Sequence, residues 1–255
     1  DPFSFPVDQV VDQLAGGRPD LRVVGGLASG ARGPGGNRLV LDGGVHEDGA
    51  VGLLLDPSVP VRTVVSQGCR PIGTPMIVTR SERNVIYELA GRPALDRVME
   101  VIDQLDPDDR ALAQQGLHLG RVIDERKVDF ERGDFLVRNV LGADRSNGAV
   151  AVGDEVEVGA TVQLQVRDAL SADEDLRHLL AEVAGPPDGT LVFTCNGRGT
   201  HLFGEPHHDA GLVDDAFGGV PTAGMFCAGE LGPVGGRTFV HGFTASLVLF
   251  GGGDG

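Results

Sequence analysis

The sequence has no apolar run near the ~20 residues that span a bilayer. Its longest, such as "TASLVLF", are strand-sized and lie between glycines, so no membrane partner is expected. Basic character is also scarce. Lys and Arg number 21 against 37 Asp and Glu, for a formal net charge of -16. The acidic residues are scattered, and nucleic acid and anionic lipid, both held by clustered Lys and Arg, are excluded as expected partners. The charge reads as a solubility feature. Cysteine is limited to Cys69, Cys195 and Cys227. Their odd number, wide spacing and lack of a C-x-x-C pair exclude a disulfide framework and a zinc ribbon. Thiols of this kind suit a reducing cytoplasm, the expected location. No signal peptide opens the chain. It begins at Asp1 with "DPFSFP" and no initiator methionine, so a natural N-terminal portion upstream is expected to be missing.

What is present suits a globular protein: 255 residues, 41% hydrophobic and 23% charged, long enough for one large domain or two modest ones. Glycine (40 residues) falls at turns between β-rich runs. Val7, Val10, Val11 and Leu14 recur with helical spacing. Leu95, Val98, Met99, Ile102 and Leu105 do the same, and Asp106 followed by Pro107 starts a third helix. Ser171 and Glu174 form a capping-box pattern before another helical stripe. "LRVVGGLASG", "NRLVLDG", "GAVGLLLD", "VRTVVSQ", "TVQLQVRDAL", "TLVFTCN" and "RTFVHGFTASLVLF" read as strands. The order strand, helix, Gly-rich strand, glycine loop, strand occurs twice, near the start and near the end. The match is one of pattern more than of identity: an ancient duplication is one reading, chance the other. The fold class expected is α+β, with mixed sheets flanked by helices.

The chemistry gathers at strand ends. "TCNGRG" places Cys195, Asn196, Gly197, Arg198 and Gly199 after an apolar strand, where backbone amides can form an anion nest and Arg198 can grip a carboxylate bidentately. The alternative is a turn whose arginine pairs with a local carboxylate. Gly229 and Glu230 end "GMFCAGE" at a second glycine-rich lip, where Glu230 can accept from a ligand amine or pair with Arg198. "SQGCRPIGTP" offers Arg70 as a further cation for the same patch. Cys195 is a nucleophile only if a neighbour lowers its pKa and a histidine lies within reach; a packing role is the alternative. "HHD" (His207, His208, Asp209) lacks the spacing of a metal site, and Asp209 reads as an N-cap with its neighbours in solvent. His241 is the histidine that could ligate a haem iron, against a hydrogen-bonded structural role.

These same segments resemble a known family. "TLVFTCNGRGTHLFG", the nearby Asp209 and "VPTAGMFCAGELGPVGGRTFVHGFTASLVLF" are similar to the FIST-C domain, as are "SQGCRPIG", "MIVT" and "YELAGRPALDRV". "DPFSFPVDQVVDQL", "VVGGLASG", "GNRLVLDG" and "DGAVGLLL" resemble the last part of FIST-N. The resemblance implies residues 1–58 as the C-terminal part of FIST-N and 59–255 as FIST-C. It implies a sensory, signal-transducing module that binds a small polar or anionic metabolite such as an amino acid, with no firm enzymatic reaction. The family's motif positions fall on Cys195, Gly197, Arg198, Gly199, Asp209, Gly229 and Glu230. No cofactor is expected on this reading. Haem-based nitric oxide sensing, known in some relatives, is the alternative, beside a protein-interaction platform or a Cys195-dependent enzyme. Expected partners are a small-molecule ligand and a signalling protein.

Overall fold

A computed structural model describes residues 1–252. The chain opens with α1 (Val7–Gly17), β1 (Gly25–Ala28), the small hairpin β2 (Leu39–Leu41) and β3 (Gly44–His46), and β4 (Val61–Gln67). It continues through β5 (Cys69–Pro71), β6 (Met76–Glu82), β7 (Val85–Leu89), β8 (Arg92–Pro93), α2 (Ala94–Gln104), α3 (Pro107–Gln115), β9 (Leu117–Val122), β10 (Phe135–Asp144), β11 (Ala149–Val152) and β12 (Thr161–Arg167). It ends with α4 (Ala169–Ala181), β13 (Gly189–Cys195), α5 (Gly199–Phe203), α6 (His208–Phe217), β14 (Thr222–Val234), β15 (Arg237–His241) and β16 (Thr244–Phe250). This is an α+β protein with mixed sheets, and its described residues divide into two compact units, residues 1–67 with 172–252 and residues 68–171.

The second unit is an antiparallel barrel. Its pairings run β11-β10-β9-β12-β6-β7, and β11 also pairs with β7, which closes the ring. Closure removes the open edges that a flat sheet leaves to solvent. The interior follows the strand period: Val162, Leu164 and Val166 of β12 join Val78, Ile86, Leu119, Val150 and Val152, with Val98 of α2. Asp106 caps α3 as expected, accepting from the Asp109 amide at 2.8 Å.

In the first unit the sheet order is β1-β14-β13-β16-β4, with β15 on β14. β13 and β14 run parallel and in register from Thr190↔Thr222 to Cys195↔Cys227. Every second residue of β13 is buried. Val192 joins Val64, Ala245, Leu247 and Leu249 on the face covered by Leu176 and Leu180 of α4 and Leu212 and Val213 of α6. Burying each such side chain contributes roughly 1.5–3 kcal/mol. The far half of β14 crosses close to β16 and β4. A Cβ on Gly232 would stand 2.5 Å from both Ser246 Oγ and Val65 Cγ2, so only glycine fits. β1 lies antiparallel beside β14, with Gly26 opposite Glu230 and Ala28 opposite Cys227. The two glycine-rich strands picked out as a repeated pattern are thus direct neighbours.

Two local expectations are corrected. "GAVGLLLD" forms no ladder: Val51, Leu53 and Leu54 are exposed, the leucines at 83% and 78%. Apolar composition predicts a strand only where a partner strand is at hand. The capping box at Ser171 and Glu174 is displaced because α4 starts at Ala169. Asp168 Oδ1 accepts from the Leu170 amide at 3.1 Å, while the Ser171 hydroxyl donates to Asp168 Oδ2 at 2.8 Å.

Candidate functional site

β13 ends at Cys195, and the chain turns at once: the Arg198 amide donates to the Cys195 carbonyl at 2.8 Å. The Asn196 amide donates to the Cys227 carbonyl at 2.9 Å, tying the turn to β14. The Gly197 amide points at Cys195 Sγ, 3.4 Å away. The amides of residues 196–198 are therefore engaged inside the chain, and the anion capacity expected of them falls to side chains instead. Gly199 lets the turn approach β14, since a Cβ there would sit 3.1 Å from the Phe226 ring.

Arg198 turns inward and is fully buried. Its Nε and Nη2 grip Asp209 at 2.8 and 2.9 Å, a bidentate pair between two buried groups. The carboxylate partner weighed from the sequence is Asp209. It is brought back to the strand end by left-handed turns at Gly204 and His207. Asp209 also accepts from the Thr194 hydroxyl and contacts His208 Nδ1 at 3.2 Å. Burial pushes its carboxyl up, but the bonds from His208, Arg198 and Thr194 outweigh this and hold it well below the usual carboxylate range. "HHD" is accordingly not a solvated helix start. His207 is exposed, whereas Asp209 is buried and caps nothing. His208 is held between Asp173 at 2.9 Å and Asp209, and its ring stacks on Phe203 with centroids 3.4 Å apart. Burial lowers its pKa, but the two carboxylates win and raise it overall. The Arg198 guanidinium lies 5.3 Å from the same Phe203 ring.

Glu230 stands where β14 is flanked by both β1 and β15, opposite Gly26 and His241. It is fully buried. Oε2 accepts from the Thr244 amide at 3.2 Å and its hydroxyl at 2.9 Å. Burial pushes the carboxyl up to about 8, against the Thr244 bonds, the Arg198 charge and Cys195, which all favour ionisation. Within this cluster of residues, Arg198 Nη1 and Glu230 Oε1 are buried without a hydrogen bond. Arg198, Glu230 and Cys195 thus form one cluster, joined by Cys227, whose buried thiol is pushed up to about 12 by burial and then by the neighbouring Glu230 and Cys195. Cys195 is half-exposed and Asn196 exposed, giving the cluster a solvent-facing rim.

Other sequence candidates lie elsewhere or are engaged. Arg70 belongs to the second unit, where its Nε donates to Asp168 at 2.7 Å and its remaining nitrogens engage Asp109. His241 is buried, and its Nε2 donates to the Gly232 carbonyl at 2.9 Å, so ligating iron through that nitrogen would cost a structural bond. Among the described residues no cluster of three or more His, Cys, Asp or Glu is placed to hold a metal ion. Thr194, Thr244, His208 and Asp173 were not singled out as site residues. The available signal for Thr194 was a hydroxyl at an inward strand position beside Val192, where a buried partner is required. A cavity of about 380 Å³ lies beside α1, lined by Val11, Leu14 and Thr238, and one of about 550 Å³ is lined by Leu180, Leu212 and Phe217. Neither includes Arg198 or Glu230.

The FIST N domain model matches residues 1–92 and the FIST C domain model residues 94–233; the chain belongs to the FIST family. FIST domains are generally held to be sensory, signal-transduction modules for small ligands. The chain is 50% identical over 254 residues to the uncharacterized protein Rv0628c of Mycobacterium tuberculosis, and 47% identical over 254 residues to the uncharacterized protein Mb0898c of Mycobacterium bovis. Each alignment covers 98% of this chain, which spans 66% of the relative's length. Among the described residues no helix is long and apolar enough to cross a membrane.

Proposed function

We propose that the first unit reversibly binds a small polar or anionic metabolite, such as an amino acid, at the Arg198–Glu230 cluster. One observation carries this reading: a donor and an acceptor, both buried, lack hydrogen bonds in the same cluster. Leaving such atoms unmatched costs about 1–3 kcal/mol each, which a ligand carboxylate on Arg198 Nη1 and a ligand N–H on Glu230 Oε1 would recover. Cys195, Asn196, Gly197 and Gly199 form the rim through which the ligand enters, and Gly229 lets β14 place Glu230. Asp209 orients Arg198 and does not compete for Nη1. The module would operate in the cytoplasm and pass its bound state to a signalling partner.

The test is calorimetry and thermal shift with a panel of amino acids and small carboxylates on the wild type and on Glu230→Gln. A ligand that raises Tm in the wild type and loses at least tenfold in affinity in Glu230→Gln supports the site. Equal affinity in both proteins, with both natively folded, removes Glu230 from it. A co-purifying Soret band would move the reading to haem.

A further inference from the structure

Cys195 and Cys227 end the parallel run of β13 and β14 as register partners. Neighbouring strands lie about 4.8 Å apart, inside the Cα separation that a disulfide spans. The side chains of such partners leave the same face of the sheet. The Asn196 amide on the Cys227 carbonyl holds the two strand ends together. The thiols differ in access: Cys195 is half-exposed and Cys227 fully buried. Glu230 is close enough to influence both. Cys227 Sγ lies against β1, where a Cβ on Gly26 would sit 2.1 Å from it. Gly26 therefore leaves the space that this sulfur fills.

We infer that Cys195 and Cys227 are a reversible redox pair, oxidised to a cross-strand disulfide by a hydroperoxide, with Glu230 relaying the proton. In the first step the Cys195 thiol releases its proton as its sulfur attacks one peroxide oxygen, and the O–O bond breaks. Cys195 becomes a sulfenic acid, and the released alkoxide takes the thiol's proton to leave as an alcohol. The sulfur loses two electrons and the peroxide gains them. In the second step Cys227 Sγ rotates from Gly26 and attacks the Cys195 sulfur. The S–O bond breaks as the S–S bond forms. Glu230 protonates the departing hydroxide to water and recovers a proton from the Cys227 thiol. Oxidation thereby empties the space against Gly26, at the irregular register of β1 on β14 between Gly26 and Ala28. The redox state is written into the strand that carries Glu230. Neither step needs a ligand, so this inference and the metabolite reading stand or fall separately.

The experiment treats the wild-type chain with equimolar hydrogen peroxide, then alkylates it and maps peptides by mass. The expected product lacks two thiols, joins the peptides containing Cys195 and Cys227 within one chain, keeps Cys69 alkylatable and reverts with dithiothreitol. Cys227→Ser should stop at a Cys195 sulfenic acid that dimedone traps. Cys195→Ser, changed at the half-exposed position, should leave Cys227 unoxidised. Glu230→Gln should slow disulfide closure on the order of a hundredfold. Stable sulfenic or sulfinic acid at Cys195 in the wild type, with Cys227 still alkylatable after unfolding, overturns the pair. A disulfide that forms only between chains overturns it equally.

Discussion

At the residue scale, Arg198 and Asp209 show why a motif arginine is not simply a ligand hook. Removing Arg198 would leave a buried, ionised Asp209 with a lost bidentate partner. Arg198→Ala is therefore expected to lower unfolding stability by about 3–5 kcal/mol, read from urea denaturation, besides any loss of binding. Wild-type stability in Arg198→Ala would show that the pair contributes nothing to the folded state. Glu230 makes a different prediction. Its pKa is raised to about 8 from an ordinary 4.5, so between these values the folded chain binds the extra proton. Its contribution to stability is full below about pH 4.5 and is lost as pH rises toward 8, on the order of a few kcal/mol. Glu230→Gln should flatten that slope in denaturation series from pH 5 to 8. A ligand amine bound at Oε1 would draw Glu230 toward its ionised form and release a proton, so the calorimetric enthalpy should vary with buffer ionisation heat.

The elements carry these residues through close approaches that composition only hints at. Gly224 of β14 faces Val192 so tightly that a Cβ would stand 2.0 Å from the Val192 carbonyl oxygen. Gly224→Ala must displace one strand backbone and is expected to cost several kcal/mol, at the upper end of single substitutions. An unchanged Tm would refute the parallel register. The α3 cap gives a smaller effect: Asp106→Ala should cost about 1 kcal/mol, by urea denaturation of the same chain.

At the scale of the whole molecule, the two units have separate cores. The closed barrel of residues 68–171 satisfies its strands internally, so that segment expressed alone should fold cooperatively and give dispersed amide NMR signals. A collapsed, poorly dispersed spectrum would show that its core is insufficient by itself.

Much of this was legible in the sequence because it depends on local periodicity. The helical spacing of Val7, Val10, Val11 and Leu14 is borne out in α1, whose buried residues are Val7 and Val11, and the Asp106–Pro107 start of α3 reads directly as a cap. The glycine-flanked end of β13 drew attention to Arg198 by the same local logic, whereas Glu230, read as the lip of a strand, sits inside β14. What could not be read is everything that depends on return of the chain. Asp209 reaches Arg198 only because left-handed turns fold α6 back on β13, so a residue fit to cap a helix became a buried counter-ion. Likewise, the pairing of Cys195 with Cys227, the closure of β11 on β7, and the solvent exposure of "GAVGLLL" follow from which strand stands beside which. Local sequence determined the elements and the chemistry at their ends. Tertiary structure decided their partners, because charge pairing and burial depend on neighbours distant in the chain.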